Sequence, residues 1–373
     1  MTCGIKAKHH GKFGMNKNFK KLKNFWKGKK VFITGHTGFK GSWLSIILSL
    51  LGAEVIGYSL ATNNKISFFK LAKLDKLIKK SIVGDIRDYK KLRNSIEKAR
   101  PDSIIHMAAQ SLVRESYKNS KYTFDVNIGG TVNILEIIKE LKMPRSLLVV
   151  TSDKVYKNNN SGKHYVEKDP LGGSDPYSNS KSCVELIAEC YKNSFYSKNK
   201  ISIATARSGN VIGGGDFSED RIIPDYIRAL KNKKNLLIRS PKSIRPWQHV
   251  IEPLIGYLKL LEMLMKKNKF FCNAWNFGPS RKNFYAVIDI VNIINQDFGN
   301  KVKVKIKTNL SKDFKESKIL MLQSKKANSK LGWVPKYNIK KTLSLTTNWY
   351  KAYLKKDNLL KFSQEQVKSY FLN

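Results

Sequence analysis

The chain has 373 residues, 41% of them hydrophobic, enough for a sizeable core in one large α/β unit or two unequal ones. Lys and Arg total 70 against 28 Asp and Glu, a formal net charge of +42. The excess is mostly Lys scattered along the whole length, so it reads as solvated surface that favours an anionic small molecule; nucleic-acid faces gather Arg and stacking aromatics instead.

Residues 1–28 are basic and polar, lack a hydrophobic signal region, and are expected to form an unstructured extension. From residue 29 the pattern alternates strand and helix. A short buried strand at 31–34 precedes a glycine turn and an apolar helix to residue 51. Strands follow at 54–58, 81–83 and 103–107, with a helix at 89–99 that stops before Pro101. A long helix is expected over 122–141, then a strand ending at Thr151, a helix over 176–197 and a strand at 201–207. Such alternation implies a doubly wound parallel sheet, a Rossmann-type α/β fold. The expected division is a dinucleotide-binding domain at 29–210 and a smaller substrate-binding portion at 211–373, with about 245–275 returning to the first domain. Trp275 to Gly278 reads as a strand and turn without a role, and the tail as an amphipathic helix near 343–354. No apolar run reaches a membrane span, so no membrane partner is expected. Cys3, Cys183, Cys190 and Cys272 have no disulfide or zinc spacing. They indicate a reducing, cytoplasmic setting without a metal, with Cys183 and Cys190 as core or half-buried thiols.

Gly35, Thr37, Gly38, Phe39 and Gly41 lie between the first strand and the first helix. Glycines there let the backbone turn sharply and approach a pyrophosphate resting on the helix N-terminus. The spacing is GxxGxxG, and Lys40 within it reads as surface. The acid expected about 20 residues on, to read a ribose, is missing; only Lys65 stands near a 2′-phosphate position, so this pattern leaves NAD and NADP open. Asp85 and Ile86 follow the third strand, where a carboxylate either accepts from an adenine amino group or caps the strand. Ala108, Ala109 and Gln110 end the fourth with small residues that let a cofactor pass. Asn127 reads as a helix residue facing solvent or bonding the backbone near the site.

Thr151-Ser152-Asp153-Lys154 closes a very apolar strand, and Asp175-Pro176-Tyr177 opens a helix with Asp175 as N-cap and Pro176 in its first turn. Tyr177 and Lys181 then share one helix face, where the ammonium is expected to ease ionisation of the phenol. Ser152, Asp153, Lys154, Tyr177 and Lys181 are the catalytic candidates, at the carboxyl end of a strand where open α/β sheets keep their chemistry. Arg221 and Arg245 stand in loops as bidentate phosphate ligands. Ser111, Arg114, Asn210 and His249 join them as substrate-binding candidates, although His249 and His106 read more readily as core histidines.

Together these stretches resemble the extended short-chain dehydrogenase/reductases that act on sugar nucleotides, over nearly everything from residue 24. The run Val31 to Trp43 resembles that family's opening signature. Pro170 to Tyr177, Gly209 to Asp216 and Ile244 to Val250 are similar to later blocks of a 4,6-dehydratase branch that takes a cytidine-linked sugar. Val155 replaces a Cys often found in that branch. The resemblance implies tightly held NAD and a sugar nucleotide in the cleft. It also implies a homodimer or homotetramer, with helices 122–141 and 176–197 in a four-helix bundle. Asp153 is then the acid for a departing hydroxyl, and Lys154 stands where related enzymes carry a Glu base; it acts as that base or orients a water or the enolate. A 4-epimerase, a silent dinucleotide sensor and a charge-driven anion binder are the competing readings.

Overall fold

The apolar runs of the first half pair side by side and in parallel, as their alternation with helices requires. A computed structural model describes residues 16–62, 66–197, 200–280, 283–306 and 319–372. Its central sheet holds β1 (Lys30–Thr34), β2 (Glu54–Ser59), β3 (Lys80–Val83), β4 (Ser103–His106), β5 (Ser146–Val150), β6 (Ser202–Ser208) and β7 (Ala274–Phe277). The order is β3-β2-β1-β4-β5-β6-β7 and every pairing is parallel. The order reverses between β1 and β4, which opens a crevice at their carboxyl ends. The stretch Trp275 to Gly278 thus supplies the last strand of the sheet. Among the described residues, no helix is long and apolar enough to cross a membrane.

Helices cover both faces. On one, α3 (Tyr89–Ala99), α4 (Gly130–Leu141) and α5 (Pro176–Tyr191) bury Leu92, Ile134, Ile138 and Val184 against Phe32, Ile104 and Leu147. On the other, α2 (Phe39–Leu50) and α6 (Ile251–Met265) bury Trp43, Ile47, Leu254 and Leu258. Helices α7 (Ile339–Leu354) and α8 (Leu359–Tyr370) complete that layer.

Several expectations are corrected. Residues 16–28 are not an unstructured extension: α1 (Lys17–Trp26) is capped by Asn16 and buries Phe19, Leu22 and Trp26. Those three recur at helical spacing, so one apolar stripe packs inward while the lysines face water. Phe19 meets the Phe371 ring edge-on at 5.0 Å. Residues 1–15, with Cys3, lie outside the described residues, as does Lys65. The helix expected over 122–141 is instead three pieces: Ser120–Phe124, one wide π turn at Asp125–Gly129, and α4. A second π turn, Lys192–Tyr196, ends the helix expected over 176–197. Cys183 is half-buried, one of the two places expected for it, whereas Cys190 is exposed.

Candidate active site

Physical necessity shapes the glycine turn. Gly35 has φ +78°, and a Cβ on it would lie 2.9 Å from the Ala108 backbone nitrogen. A Cβ on Gly41 would lie 2.2 Å from the Gly35 carbonyl oxygen, so α2 can seat on the turn only without a side chain there. Gly35, Thr37, Gly38, Phe39 and Gly41 line a cavity of about 330 Å³ together with Asp85, Ile86, Ala108, Ala109, Gln110, Tyr177 and Lys181. This cradle, at the N-terminus of a twelve-residue helix, fits a dinucleotide pyrophosphate. The end of β2 contributes Tyr58, Ser59 and Leu60 to the wall, and the Ser59 hydroxyl bonds Thr37 Oγ1 at 2.8 Å. Asp85 lines the cavity, and its carboxylate accepts from the Arg87 backbone N–H at 2.9 Å and guanidinium at 2.6 Å, capping the turn after β3.

Asp175 caps α5 by accepting from the Ser178 N–H at 2.9 Å, with Pro176 in the first turn. This start turns Tyr177 and Lys181 toward the end of β5, and both are buried. Lys181 Nζ donates to the Val150 carbonyl at 3.4 Å. Ser152 Oγ donates to Asp153 Oδ1 at 3.0 Å and accepts from the Lys154 N–H at 3.3 Å. Asp153 is 2% exposed, and its Oδ2 has no hydrogen-bond partner among the described residues. A Cβ at position 209 would sit 2.9 Å from that oxygen, so Gly209 leaves it room.

Burial dominates the electrostatics. It pushes the Asp153 carboxyl above its ordinary range, against the opposing pull of Lys154, Ser152, Arg245 and Lys40. It also lowers Lys181 to about 8, with Glu185 resisting. The expected easing of the phenol does not appear. Burial raises Tyr177, and the groups that lower it are Ser152 and Arg221. The physical reason is that a fully desolvated phenol loses more from missing water than nearby donors restore.

The substrate-side candidates divide. Ser111 and Arg221 line the cavity, and Arg221 also bonds Asp216 at 2.9 Å. Arg245 is buried beside Asp153. Arg114 pairs with Asp220, which also takes Arg239, away from the cavity wall. Asn210 is half-buried and accepts from the Gln248 N–H through its carbonyl. His249 lies in the core between Trp43 and Tyr337, and burial lowers it to about 3, so it is not brought to the cavity. His106 is likewise a core residue, clamped by Thr34 and Thr131.

One residue lies elsewhere than expected. Lys40 is not surface: it lines the cavity, donates to Ser208 Oγ at 2.8 Å and is lowered by burial to about 7. The signal was α2 itself, apolar nearly all round and therefore a buried helix. Of the two places considered for Asn127, the structure shows the second: the π turn carries it inward, where it brackets the Gln110 backbone and donates to Ser180 Oγ at 2.9 Å. Among the described residues no cluster of His, Cys, Asp and Glu is fit to hold a metal.

Comparison with known proteins adds independent evidence. The family model described as GDP-mannose 4,6 dehydratase matches residues 32–346. A CDP-glucose 4,6-dehydratase of Salmonella typhimurium is 42% identical over 93% of this chain and 98% of its own length. An epimerase of Methanothermobacter thermautotrophicus shares the fold with TM-score 0.78, 23% identity, and coverage of 92% of this chain and 98% of its own. A dTDP-glucose 4,6-dehydratase of Streptomyces venezuelae, solved with NAD, does so with TM-score 0.74, 22% identity, and coverage of 89% and 99%.

Proposed function

We propose that this chain, which belongs to the GDP-mannose 4,6 dehydratase family, converts CDP-glucose to CDP-4-keto-6-deoxyglucose and water. The Salmonella relative's named activity supports the substrate. The observation that carries the reaction type is Asp153, a buried carboxyl with one oxygen unpaired and its proton held more tightly than in water. An epimerase needs no acid at the 6-hydroxyl.

The glycine turn, Asp85, Ile86 and the Ala108 to Gln110 segment would hold NAD, with Tyr177 and Lys181 at its reactive end. When bound there, NAD would supply the hydride acceptor for carbon 4 of the sugar and the donor for carbon 6, with no net oxidation. Tyr177, as the phenolate that Ser152 and Arg221 favour against its burial, accepts the proton of the 4-hydroxyl, and Ser152 hydrogen-bonds that oxygen as it becomes a ketone. The ketone acidifies the proton on carbon 5, and in this reading Lys154 removes that proton or steadies the enolate. Asp153 gives its proton to the departing 6-hydroxyl, which leaves as water. Arg221 and Arg245 supply guanidinium forks for the diphosphate, with Ser111 beside Arg221 on the cavity wall.

The division into a NAD-binding domain at 29–210 and a substrate-binding portion at 211–373 belongs to this reading. So do a cytoplasmic setting and a homodimer or homotetramer built through α5, where Leu186 is 56% exposed. The test is incubation of the purified chain with CDP-, dTDP-, UDP- and GDP-glucose, followed by mass spectrometry of the products. The expected result is loss of water, fastest with CDP-glucose. A product of unchanged mass, or no preference for cytidine, would overturn the reading.

A further inference from the structure

Glu185 stands one helical turn beyond Lys181 on α5 and is 4% exposed. Its Oε1 accepts from the Thr151 hydroxyl, and its Oε2 from Thr205 Oγ1 at 2.6 Å and an Arg207 guanidinium nitrogen at 2.8 Å. Arg207 is held from behind by the Tyr156 hydroxyl at 2.8 Å and the Glu167 carbonyl at 3.1 Å. Thr151 lines the cavity and directly precedes Ser152. Lys181, one turn earlier on the same helix, grips the Val150 carbonyl. Two adjacent residues at the end of β5 are therefore tied to two residues of α5.

We propose that Glu185 is a positioning residue: its carboxylate, locked by Arg207, fixes the strand end that carries Ser152 against the helix that carries Tyr177, and sets its charge beside Lys181. The other titratable groups around Lys181 are Lys40 on α2, His106 on β4 and Tyr177 on α5. His106 is neutral at neutral pH, with burial lowering it to about 3, and Lys40, lowered to about 7, is largely neutral where Lys181 titrates. Glu185 is thus the group that opposes desolvation of the Lys181 ammonium, which otherwise falls below about 8. Loss of that charge moves the deprotonation of Lys181 to lower pH.

The inference rests on the dehydratase reading, and one experiment separates the two. In the wild type, the rate with CDP-glucose falls on the alkaline side as Lys181 loses its proton. In Glu185→Gln that alkaline limb moves down by about one pH unit, a ~tenfold loss at a pH above it. The single variant strands Arg207 as a buried unpaired cation and lowers the melting temperature. A Glu185→Gln, Arg207→Gln double variant removes both charges and recovers much of the melting temperature; because loss of the Arg207 cation raises Lys181, its limb lies between those of the wild type and Glu185→Gln. A limb at the wild-type pH in folded Glu185→Gln overturns the inference. Absence of water loss by the wild type at every pH overturns the dehydratase reading instead.

Discussion

Asp153 and Tyr177 divide the proposed reaction between a carboxyl and a phenol that share Ser152 as neighbour. The division predicts opposite failures. Tyr177→Phe removes the proton acceptor for the first hydride step, so turnover falls by ~10²–10⁴-fold while binding of CDP-glucose, measured by calorimetry, is nearly unchanged. Asp153→Asn leaves that step intact and stops the loss of water. Adding CDP-glucose to this variant then raises the absorbance of reduced nicotinamide, which stays flat in Tyr177→Phe. Equal behaviour of the two variants would contradict the assignment. These residues were legible in the sequence because local chemistry fixes them: an apolar strand ends at Thr151, and an Asp-Pro cap begins the helix. Lys40 and Glu185 were not, since their burial depends on the packing of distant elements. Ser208 lies 168 residues from Lys40, and Arg207 lies 22 from Glu185.

At the scale of elements, the parallel strands follow from periodicity, and each was expected within a residue or two of its place. Helix breaks were not foreseen. The π turn at Asp125–Gly129 keeps helical backbone and an apolar periodicity, so nothing local announces it. It nevertheless sets Asn127 between the end of β4 and α5, as such turns often do beside functional sites. Helix α1 was obscured by composition, its stripe of three large residues hidden among lysines. Trp26 is fully buried there, and Phe25 beside it receives the Lys266 ammonium at 5.4 Å from its ring centre. Trp26→Ala should cost about 3–5 kcal/mol, read from urea unfolding followed by circular dichroism. A cost below about 1 kcal/mol would mean that α1 is not part of the core.

Across the whole molecule, the net charge of +42 coexists with ion pairs that are mostly at the surface and contribute little each. The buried Arg207–Glu185 pair is the contrast, with both side chains 3% exposed. The fold serves to bring two carboxyl ends of strands, one glycine turn and one capped helix to a single crevice, and the family match covers that assembly from residue 32 to 346. What separates a dehydratase from an epimerase in this frame is where the hydride goes after leaving carbon 4. CDP-glucose carrying deuterium at carbon 4 tests this directly, with the product read by NMR. The account predicts that the deuterium appears on the new methyl group at carbon 6 and that the product lacks one water. Deuterium still at carbon 4, or on its epimer, would contradict it.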